Sequence, residues 1–317
     1  MPLIQSKLGD FPKNRALSAS IGCNLKKWAI ILPVFSQFLA QYRAKIHKSA
    51  DKRTRKAGGG RKNSLPTATD ALVFILYYYK TYPTFSALGT RIGATHTTAH
   101  QQVHFLSQVL LDTLTELKFV PPREFKTEQE LYDYLKSLGD VKDILIDATE
   151  RRTQRPKKKE ARDPLYSGKK KTFTIKNTVI TLLNGFIIFL GLTTQGTVHD
   201  YELFKIEFSW YQGLKDWFKD LNVWIDLGYI GIKDDFNIGK LNIPVKKPKK
   251  SKENPSPTLS DQEKAHNKEV AQTRVLVEHT IGSMKYFNIL NHPYRNKTHF
   301  FEDKIIAICA AMHNASY

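Results

Sequence analysis

Two aspartates stand where apolar, strand-like segments stop. The segment ILID ends at Asp147, and VWID ends at Asp226. If the two strands are parallel neighbours, both carboxylates lie at the same edge of one sheet. Carboxylates that close repel one another unless a cation lies between them. The pattern therefore predicts a divalent metal site at that edge.

A third carboxylate, Glu278, lies in RVLVEHTIGSMK, which has helical apolar spacing. At about 100° per residue, Arg274, Glu278 and Lys285 fall within an arc of about 40° on one helical face. Aimed at the two aspartates, this face completes a three-carboxylate site flanked by cations. Mg²⁺ prefers a few carboxylates together with water and phosphate oxygens, and a pair of such ions promotes phosphodiester displacement.

Each of these carboxylates alone also has a structural explanation. An aspartate after a strand often caps a helix, and a helical glutamate often faces solvent. In GTVHDYELF, a capping role explains Asp200, whereas His199 could lie at the edge of the site. Glu150, just past the first aspartate, is a further acidic candidate. These alternatives stay open at the level of sequence.

The chain is strongly basic. Lys and Arg number 49 against 30 Asp and Glu, which gives a formal charge of +19 and a pI of about 9.7. The charge is spread over several runs, a distribution that suits nucleic acid, whereas a membrane-surface helix would also need an apolar face. The basic residues predicted to contact DNA are Lys157, Lys158, Lys169, Lys170, Arg274, Lys285, Arg61 and Lys62. The last two lie in a basic segment over 43–63, which is either a solvated linker or an arm along phosphates.

Length and composition indicate a globular protein of two domains, or of one large domain with an attachment. The apolar fraction is 41% of 317 residues. The two cysteines, Cys23 and Cys309, exclude a disulfide scaffold and a four-cysteine zinc site, and they favour a reducing compartment. The apolar run from Trp28 is too short to span a bilayer and contains Pro33. We expect a cytoplasmic, nucleoid-associated protein.

Helical patterns dominate the N-terminal part. An amphipathic helix is predicted over 22–45. Three short helices follow from Thr67, and Gly93 at the corner between the last two is typical of a helix-turn-helix, although packing in any three-helix bundle explains the same pattern. The third helix offers polar residues that could meet bases and phosphates, namely Thr95, Thr97, Thr98, His100 and Gln101.

Strand patterns begin after Asp143 and predict an α/β domain with a mixed sheet. The predicted strands are 143–148, 171–181, 186–193, 222–226 and 242–245, with a hairpin turn at Asn184 and Gly185. A helical region is predicted through about Lys219, and a helix-compatible stretch from Leu227. An exposed loop over 246–261 precedes a helix over about 262–287 and a last helix in FFEDKIIAICAAMHNA.

Several segments, in order and in approximate spacing, resemble DDE transposases of bacterial insertion sequences, in the insertion-sequence-five group related to Harbinger elements. They are IDATE, GTVHDYELF, IDLGYIG and RVLVEHTIGSMKYF. The segments GGGRK, KTYPTFSALG and TTAHQQVHFL resemble the helix-turn-helix region that precedes the nuclease domain in that group. The resemblance covers roughly residues 40 to 315.

The resemblance implies a ribonuclease H-like catalytic domain in which Asp147, Asp226 and Glu278 bind two Mg²⁺ ions, with Mn²⁺ as a substitute. It also implies nicking at element ends, attack of the freed 3′-hydroxyl on target DNA, and self-association on double-stranded DNA. Arg274 and Lys285 match the basic positions of the group. Ala271 replaces a common tyrosine, which puts one helper role in doubt, and Ala148 replaces a common glycine.

These inferences predict a helical region over 1–135, with a helix-turn-helix at about 67–112, and a ribonuclease H-like nuclease domain over 136–317. Two other functions remain as alternatives. A non-catalytic DNA-binding regulator would be free to lose carboxylates, yet all three are present. A phosphatase that uses Asp147 as its nucleophile would require a second aspartate two residues later, and Thr149 occupies that position.

Overall fold

The computed structural model describes residues 14–48, 63–208, 212–250 and 256–317. The α-helices are α1 (Asn14–Ile21), α2 (Leu25–Lys48), α3 (Ala68–Thr81), α4 (Phe85–Arg91), α5 (His96–Glu116), α6 (Glu128–Ser137), α7 (Lys159–Arg162), α8 (Asp200–Glu207), α9 (Ile232–Asp235), α10 (Asp261–Met284), α11 (Asn288–Asn291) and α12 (Phe301–Asn314). The strands are β1 (Asp143–Arg152), β2 (Tyr166–Ser167), β3 (Thr172–Leu182), β4 (Ile187–Leu190), β5 (Thr194–Gln195), β6 (Phe218–Trp224) and β7 (Ile238–Asn242). None of the described helices combines the length and apolar character needed to cross a lipid bilayer.

The chain forms two compact units. The first comprises Met1–Val120 and Met284–Tyr317. In its described part, α3 and α5 form the centre, and α1, α2, α11 and α12 pack around them. The second unit, Pro121–Ser283, contains the sheet. The domain boundary at residue 135 remains a prediction from sequence.

The single helix predicted over 22–45 forms as α2, which runs from Leu25 to Lys48 and begins three residues later than predicted because the chain turns at Gly22. Gly22 adopts φ +69°, a left-handed conformation that ends α1, and an added Cβ there would meet the ring of Phe287. The side chain of Asn24 then accepts a hydrogen bond of 2.9 Å from the amide of Lys27, which satisfies a free donor at the start of α2.

The basic segment predicted over 43–63 is only partly a connector. Its first residues belong to α2, which continues to Lys48. Arg43 donates hydrogen bonds to the carbonyls of Leu65 and Pro66, so this end of the segment is held against the chain. Arg61 and Lys62 lie outside the described residues, and their predicted DNA contacts remain predictions.

The helices predicted from Thr67 onward form as α3, α4 and α5. Each begins after a threonine whose side chain accepts a hydrogen bond from an amide three residues later, at Thr67, Thr84 and Thr95. Gly93 lies between α4 and α5 with φ +62°. Helices α4 and α5 pack against each other. The assignment as a helix-turn-helix remains a prediction.

The sheet of the second unit has the order β2-β3-β1-β6-β7, and β4 and β5 also pair with β3. Strand β3 is antiparallel to β1, β2, β4 and β5, whereas β1, β6 and β7 are parallel. The mixed sheet with helices confirms the predicted α/β class. The predicted hairpin is also confirmed, because Gly185 adopts φ +91° and the amide of Leu182 donates to the carbonyl of Phe186.

Strand β1 is longer than the predicted 143–148. It continues to Arg152 because β3 pairs with it over its whole length, with Arg152 opposite Thr174. The predicted strand over 186–193 is shorter, as β4 ends at Leu190. At this end of the strand the carbonyls of Leu190 and Gly191 accept hydrogen bonds from the side chain of Arg123.

The segments around β6 also differ from their predictions. Helix α8 ends at Glu207, and β6 begins at Phe218, so the predicted helical region through Lys219 is wrong at its end. The stretch after Leu227 forms only a 3₁₀ turn and the short α9. The last strand lies at Ile238–Asn242, rather than 242–245, because it pairs with β6 in parallel register.

Alternate residues of β1 face two different hydrophobic clusters. Ile144 and Ile146 belong to the larger cluster, which includes Phe204, Phe218 and Tyr229. Leu145 belongs to a smaller cluster with Trp224, Val270 and Val277, formed against α10. Because successive side chains of a strand point to opposite faces, Asp147 shares the face of Leu145 and Glu150 shares the face of Ile146.

Candidate functional site

The sheet brings two of the predicted carboxylates to neighbouring strands. In the parallel pair β1 and β6, Leu145 lies opposite Trp224. Asp147 and Asp226 each follow two residues after this register point, so both lie at the same end of the pair. The predicted parallel adjacency is therefore confirmed. Asp147 is not the end of its strand, however, because β1 runs on past it to Arg152.

Each aspartate is held by a local hydrogen bond. Asp226 caps the 3₁₀ turn Leu227–Tyr229, and its Oδ1 accepts from the amide of Gly228 at 2.7 Å. The Oδ1 of Asp147 accepts from the amide of Ala148 at 2.8 Å. In both residues the remaining carboxylate oxygen is left to make another contact.

Asp147 lies in an environment that opposes its negative charge. Burial raises the pKa of Asp147 to about 6, and the nearby charges of Asp226 and Asp200 also raise it. The amide of Ala148 and the guanidinium of Arg274 lower this pKa by less than burial raises it, and each has a larger effect than either neighbouring aspartate. A cation at this edge would relieve the repulsion between the carboxylates.

Arg274 reaches this edge from α10. Val270 and Val277 pack against Leu145, and Arg274 falls between them on the same helical face. Its Nη2 lies 3.5 Å from Oδ2 of Asp147. Its Nε is buried and makes no hydrogen bond within the described part of the chain.

Glu278 follows Arg274 by one helical turn and is exposed. Within the described ranges, no three His, Cys, Asp or Glu side chains are grouped closely enough to hold a metal ion together. Glu278 is thus not gathered with Asp147 and Asp226 as the sequence predicted. Lys285 comes directly after the last residue of α10, Met284, and belongs to the other compact unit.

The aspartate pair fits a divalent cation better than it fits the neighbouring arginine. The atoms that this pair offers as metal ligands are carboxylate oxygens, which Mg²⁺ and related hard cations prefer. Arg274, the basic residue that pairs with this site within the described ranges, contacts one oxygen of Asp147. Asp147 and Asp226 are therefore suited to hold such an ion jointly.

A second pair of carboxylates lies on the other face of β1, and one lysine contacts both of them. The Nζ of Lys176 lies 3.2 Å from Glu150 and 2.9 Å from Asp200, and it also donates to the carbonyl of Val198. The Lys176 side chain is 8% exposed. Ser167 donates to Glu150 as well. Glu150 is thus already paired within the protein.

The predicted capping role of Asp200 is wrong. Asp200 is the first residue of α8, and His199 occupies the N-cap position without a side-chain hydrogen bond to the helix. His199 is exposed. Asp200 pairs with Lys176 instead, while its charge still raises the pKa of Asp147. A lysine within the apolar strand pattern of TFTIKNTVIT was the available signal for this pairing.

Tyr229 is a residue of this region that the sequence reasoning missed. It is 0% exposed, and its hydroxyl makes no hydrogen bond to any described residue. Burial raises its pKa, and the charges of Asp147, Asp200, Asp226 and Glu207 raise it further. Its ring packs in the larger hydrophobic cluster, so Tyr229 lies among the acidic residues as part of the core.

Most of the predicted DNA contacts in the second unit are exposed. Lys157, Lys158, Lys169 and Lys170 all lie on the surface. They precede α7 and follow β2, respectively. Their exposure is compatible with contacts to phosphates, which remain a prediction.

The polar residues of α5 have mixed environments. Thr95 caps the helix, and its hydroxyl lies 3.0 Å from that of Thr98. Thr97 and Gln101 are exposed. His100 packs edge to face against Phe85, so this predicted base contact has a structural role.

Comparisons with known proteins show the family of this chain. The family described as DDE superfamily endonuclease matches residues 146–314. A probable transposase for insertion sequence element IS702 from Microchaete diplosiphon is 30% identical over 258 residues, which cover 81% of this chain and 82% of that protein. No solved structure matches the chain.

Proposed function

Because this chain belongs to the DDE superfamily endonucleases and is related to an insertion-sequence transposase, we propose that it nicks the ends of an insertion sequence and joins the freed 3′-hydroxyl to target DNA. The chain is an enzyme of the nuclease and transposase class, and its substrate is DNA. Members of the superfamily generally use divalent metal ions.

One observation supports the proposed chemistry above the others. The parallel pairing of β1 with β6 places Asp147 and Asp226 at one end of the sheet, with Arg274 against the first of them. Among the described residues no lysine forms an ion pair with either aspartate, whereas Lys176 pairs with both Glu150 and Asp200. Two acidic side chains left in this state suit a site that takes up a cation together with an anionic substrate.

In this proposal Asp147 and Asp226 hold Mg²⁺, with Mn²⁺ as a substitute, and Glu278 is the third ligand. Residues four apart on a helix have Cβ atoms about 5–6 Å apart. Glu278 is therefore one turn from the arginine that contacts Asp147, within reach of the same edge by side-chain rotation. Bound Mg²⁺ would activate the attacking oxygen and stabilise the leaving one.

The chain's own residues orient the substrate. Arg274 places a positive charge beside Asp147, where a phosphate would otherwise be repelled by the carboxylates. Lys157, Lys158, Lys169 and Lys170 are exposed cations that would bind the DNA backbone. Lys285, Arg61 and Lys62 are further proposed backbone contacts, and His199 lies at the proposed edge of the site.

We assign DNA recognition to the helical region over 1–135, through the helix-turn-helix formed by α3, α4 and α5. Thr97 and Gln101 are exposed near the start of α5 and are the proposed base contacts. The region over 136–317 is proposed to be the ribonuclease H-like nuclease domain. Strand transfer joins both element ends to the same target DNA, so self-association of the chain on DNA is part of the proposal.

The test is nicking of DNA that carries the gene's own flanking sequence, in Mg²⁺ and in Mn²⁺. We expect site-specific cuts by the wild type and a loss of at least a thousandfold in Asp226→Ala, since a ligand is removed while the strand pairing stays. Asn would keep the cap to Gly228, so Asp226→Asn separates the lost charge from a local folding defect. DNA binding without cuts by the wild type in either metal would contradict the proposal and favour a regulator.

A further inference from the structure

A cleft of about 470 Å³ lies on the second unit, away from the paired aspartates. It is lined by Arg155, Arg162, Asp163, Tyr166 and Phe173. These residues come from the segment after β1, from α7 and its following turn, and from β2 and β3. The volume falls within the range of about 300–1,000 Å³ that is usual for pockets that bind small molecules or single groups.

Two aromatic rings form the apolar wall of the cleft. Tyr166 and Phe173 are register partners in the antiparallel pair β2 and β3, and their rings meet edge to face at 5.5 Å. Tyr166 is 45% exposed, although it is a large aromatic side chain. The amide of Thr153 donates to the carbonyl of Phe173, which ties the segment after β1 to this wall.

The rest of the lining is polar and mostly cationic. The guanidinium of Arg155 lies 5.9 Å from the centre of the Phe173 ring, and both Arg155 and Tyr166 are exposed. Arg162 lies 3.4 Å from Asp163, which neutralises one of the two arginines. Planar guanidinium groups and aromatic rings are the surfaces on which nucleic-acid bases stack.

The sequence around the cleft is suited to a polyanion. Residues 152–171 contain nine Lys or Arg residues, against Glu160 and Asp163. The lysines of PKKK precede the cleft residues of α7, and those of GKKK separate Tyr166 from Phe173 in the chain. An apolar wall between two exposed lysine runs is typical of sites where the runs bind phosphates and the wall binds a base.

We propose that this cleft binds one unstacked nucleotide of a single-stranded DNA segment, with its base against Tyr166 and Arg155. The inference rests on the proposed function, because it requires that the chain handles DNA ends. A base that is stacked inside a duplex cannot enter the cleft. The site would therefore distinguish frayed or single-stranded ends from intact duplex.

The nucleotide in the cleft is not the one that is cut. Asp147 and Arg152 are five residues apart on β1, which corresponds to about 17 Å at about 3.4 Å per residue. Arg155 lies three residues beyond the end of that strand. Because one strand of DNA advances about 3.4 Å per nucleotide, the captured base would be several nucleotides from the phosphate at the aspartates.

The test uses the full-length protein in buffer without divalent metal, so that cutting does not occur. The probes are a blunt DNA duplex and the same duplex with a single-stranded extension that carries 2-aminopurine. We expect the wild type to bind the extended probe about tenfold more tightly and to quench its fluorescence, since aromatic stacking strengthens binding of each base. Binding is measured by anisotropy and base stacking by quenching.

The variants distinguish the effect of the aromatic ring from the effect of apolar side-chain volume. Tyr166→Leu and Phe173→Leu remove a ring and should abolish the preference and the quenching, while binding to the blunt duplex stays unchanged. Tyr166→Phe retains the ring and should behave as the wild type. Tyr317→Leu removes a tyrosine of comparable exposure, 58%, from the other unit and serves as the matched control. Thermal unfolding of each variant verifies that it is folded.

The outcomes distinguish this inference from the function on which it rests. If the wild type binds both probes with equal affinity and still makes site-specific nicks in Mg²⁺, nucleotide binding by the cleft is contradicted. The proposed nuclease function then stands. A preference that survives in both folded leucine variants overturns it as well. Absence of both DNA binding and nicking in the wild type overturns the inference and the proposed function together.

Discussion

Strand β1 carries two acidic sites on its opposite faces, and they differ in how their charge is balanced. On one face, Glu150 and Asp200 are bridged by the buried Lys176 at 3.2 and 2.9 Å. On the other, the one ion pair found in the described part of the chain joins Arg274 to Asp147 at 3.5 Å. The two sites contain the same side-chain chemistry in the same sheet. Their difference lies in how the basic side chain is used, since Lys176 contacts both carboxylates of its site and Arg274 contacts only one of the two.

This contrast indicates which site is structural and which is functional. A buried charge is tolerated when it is paired and hydrogen-bonded, and Lys176 meets that condition through two carboxylates and the carbonyl of Val198. Asp147 has the amide of Ala148 and a single contact to Arg274 among the described residues, and burial still raises its pKa to about 6. A protein retains such a strained carboxylate at a cost in stability, and this is typical of sites that bind a metal or a substrate.

The largest expected effect on stability comes from removing the lysine that contacts both Glu150 and Asp200. Replacement Lys176→Met leaves the half-buried carboxylates of Glu150 and Asp200 without their shared cation. We expect the free energy of unfolding to fall by about 3 to 5 kcal/mol, since removal of one partner from a buried ion pair leaves uncompensated charge. Denaturant unfolding at neutral pH measures this loss.

A compensating variant sharpens the result. Lys176→Met combined with Glu150→Gln and Asp200→Asn removes all the charges of the cluster, and it should recover most of the lost stability. A single variant as stable as the wild type would show that Lys176 does not hold the two carboxylates, and the contrast between the two faces would then fail.

Glu207, an acidic residue outside both sites, is expected to have a smaller effect on stability, with its own pH dependence. Both carboxylate oxygens of Glu207 are buried, and an added Cβ at Gly191 would collide with them. Burial raises the pKa of Glu207 to about 8, and the hydroxyl of Thr178 and the charge of Arg123 lower it by less. The folded protein therefore holds a proton on this carboxyl that the unfolded chain releases.

The sign of the pH dependence follows from this raised pKa. Stability linked to Glu207 is fully present below its unfolded pKa, near 4.5, and is lost as pH rises through about 8. We expect Glu207→Gln to stabilise the protein by about 2–4 kcal/mol at pH 7 to 8 and to have little effect at pH 4. Unfolding curves at both pH values measure the difference, and equal effects at the two values would contradict it.

The sequence predicted the parts of the site that depend on local pattern. Apolar runs that stop at Asp147 and Asp226 predicted two strands, and the intervening elements allowed those strands to be parallel neighbours. The apolar spacing before Glu278 predicted α10. The hairpin at Asn184 and Gly185 follows from turn chemistry alone. These features depend on residues that are close together in the chain, so they can be predicted from a single sequence.

The features that depend on distant partners were not predictable in this way. Strand β1 extends beyond 148 because β3 happens to match it along its whole length. Asp200 resembled a helix cap because its partner, Lys176, is 24 residues away along the chain. The break at Gly22 reflects a left-handed backbone that an amphipathic pattern does not reveal. In each case tertiary contacts decide between local alternatives.

The smallest expected effect concerns Arg274, the counterpart of Lys176 on the functional face. Both partners are partly exposed, at 15% for Arg274 and 20% for Asp147, and only one contact joins them. Arg274→Gln should therefore change the free energy of unfolding by less than about 1 kcal/mol. It should nevertheless slow nicking about tenfold, which corresponds to ~1.4 kcal/mol, because a cation beside the substrate phosphate is lost. Arg274→Lys keeps the charge and should retain more activity than Arg274→Gln. If Arg274→Gln instead destabilised the protein as much as Lys176→Met and left nicking unchanged, both faces of β1 would be structural, and the catalytic site would have to lie elsewhere.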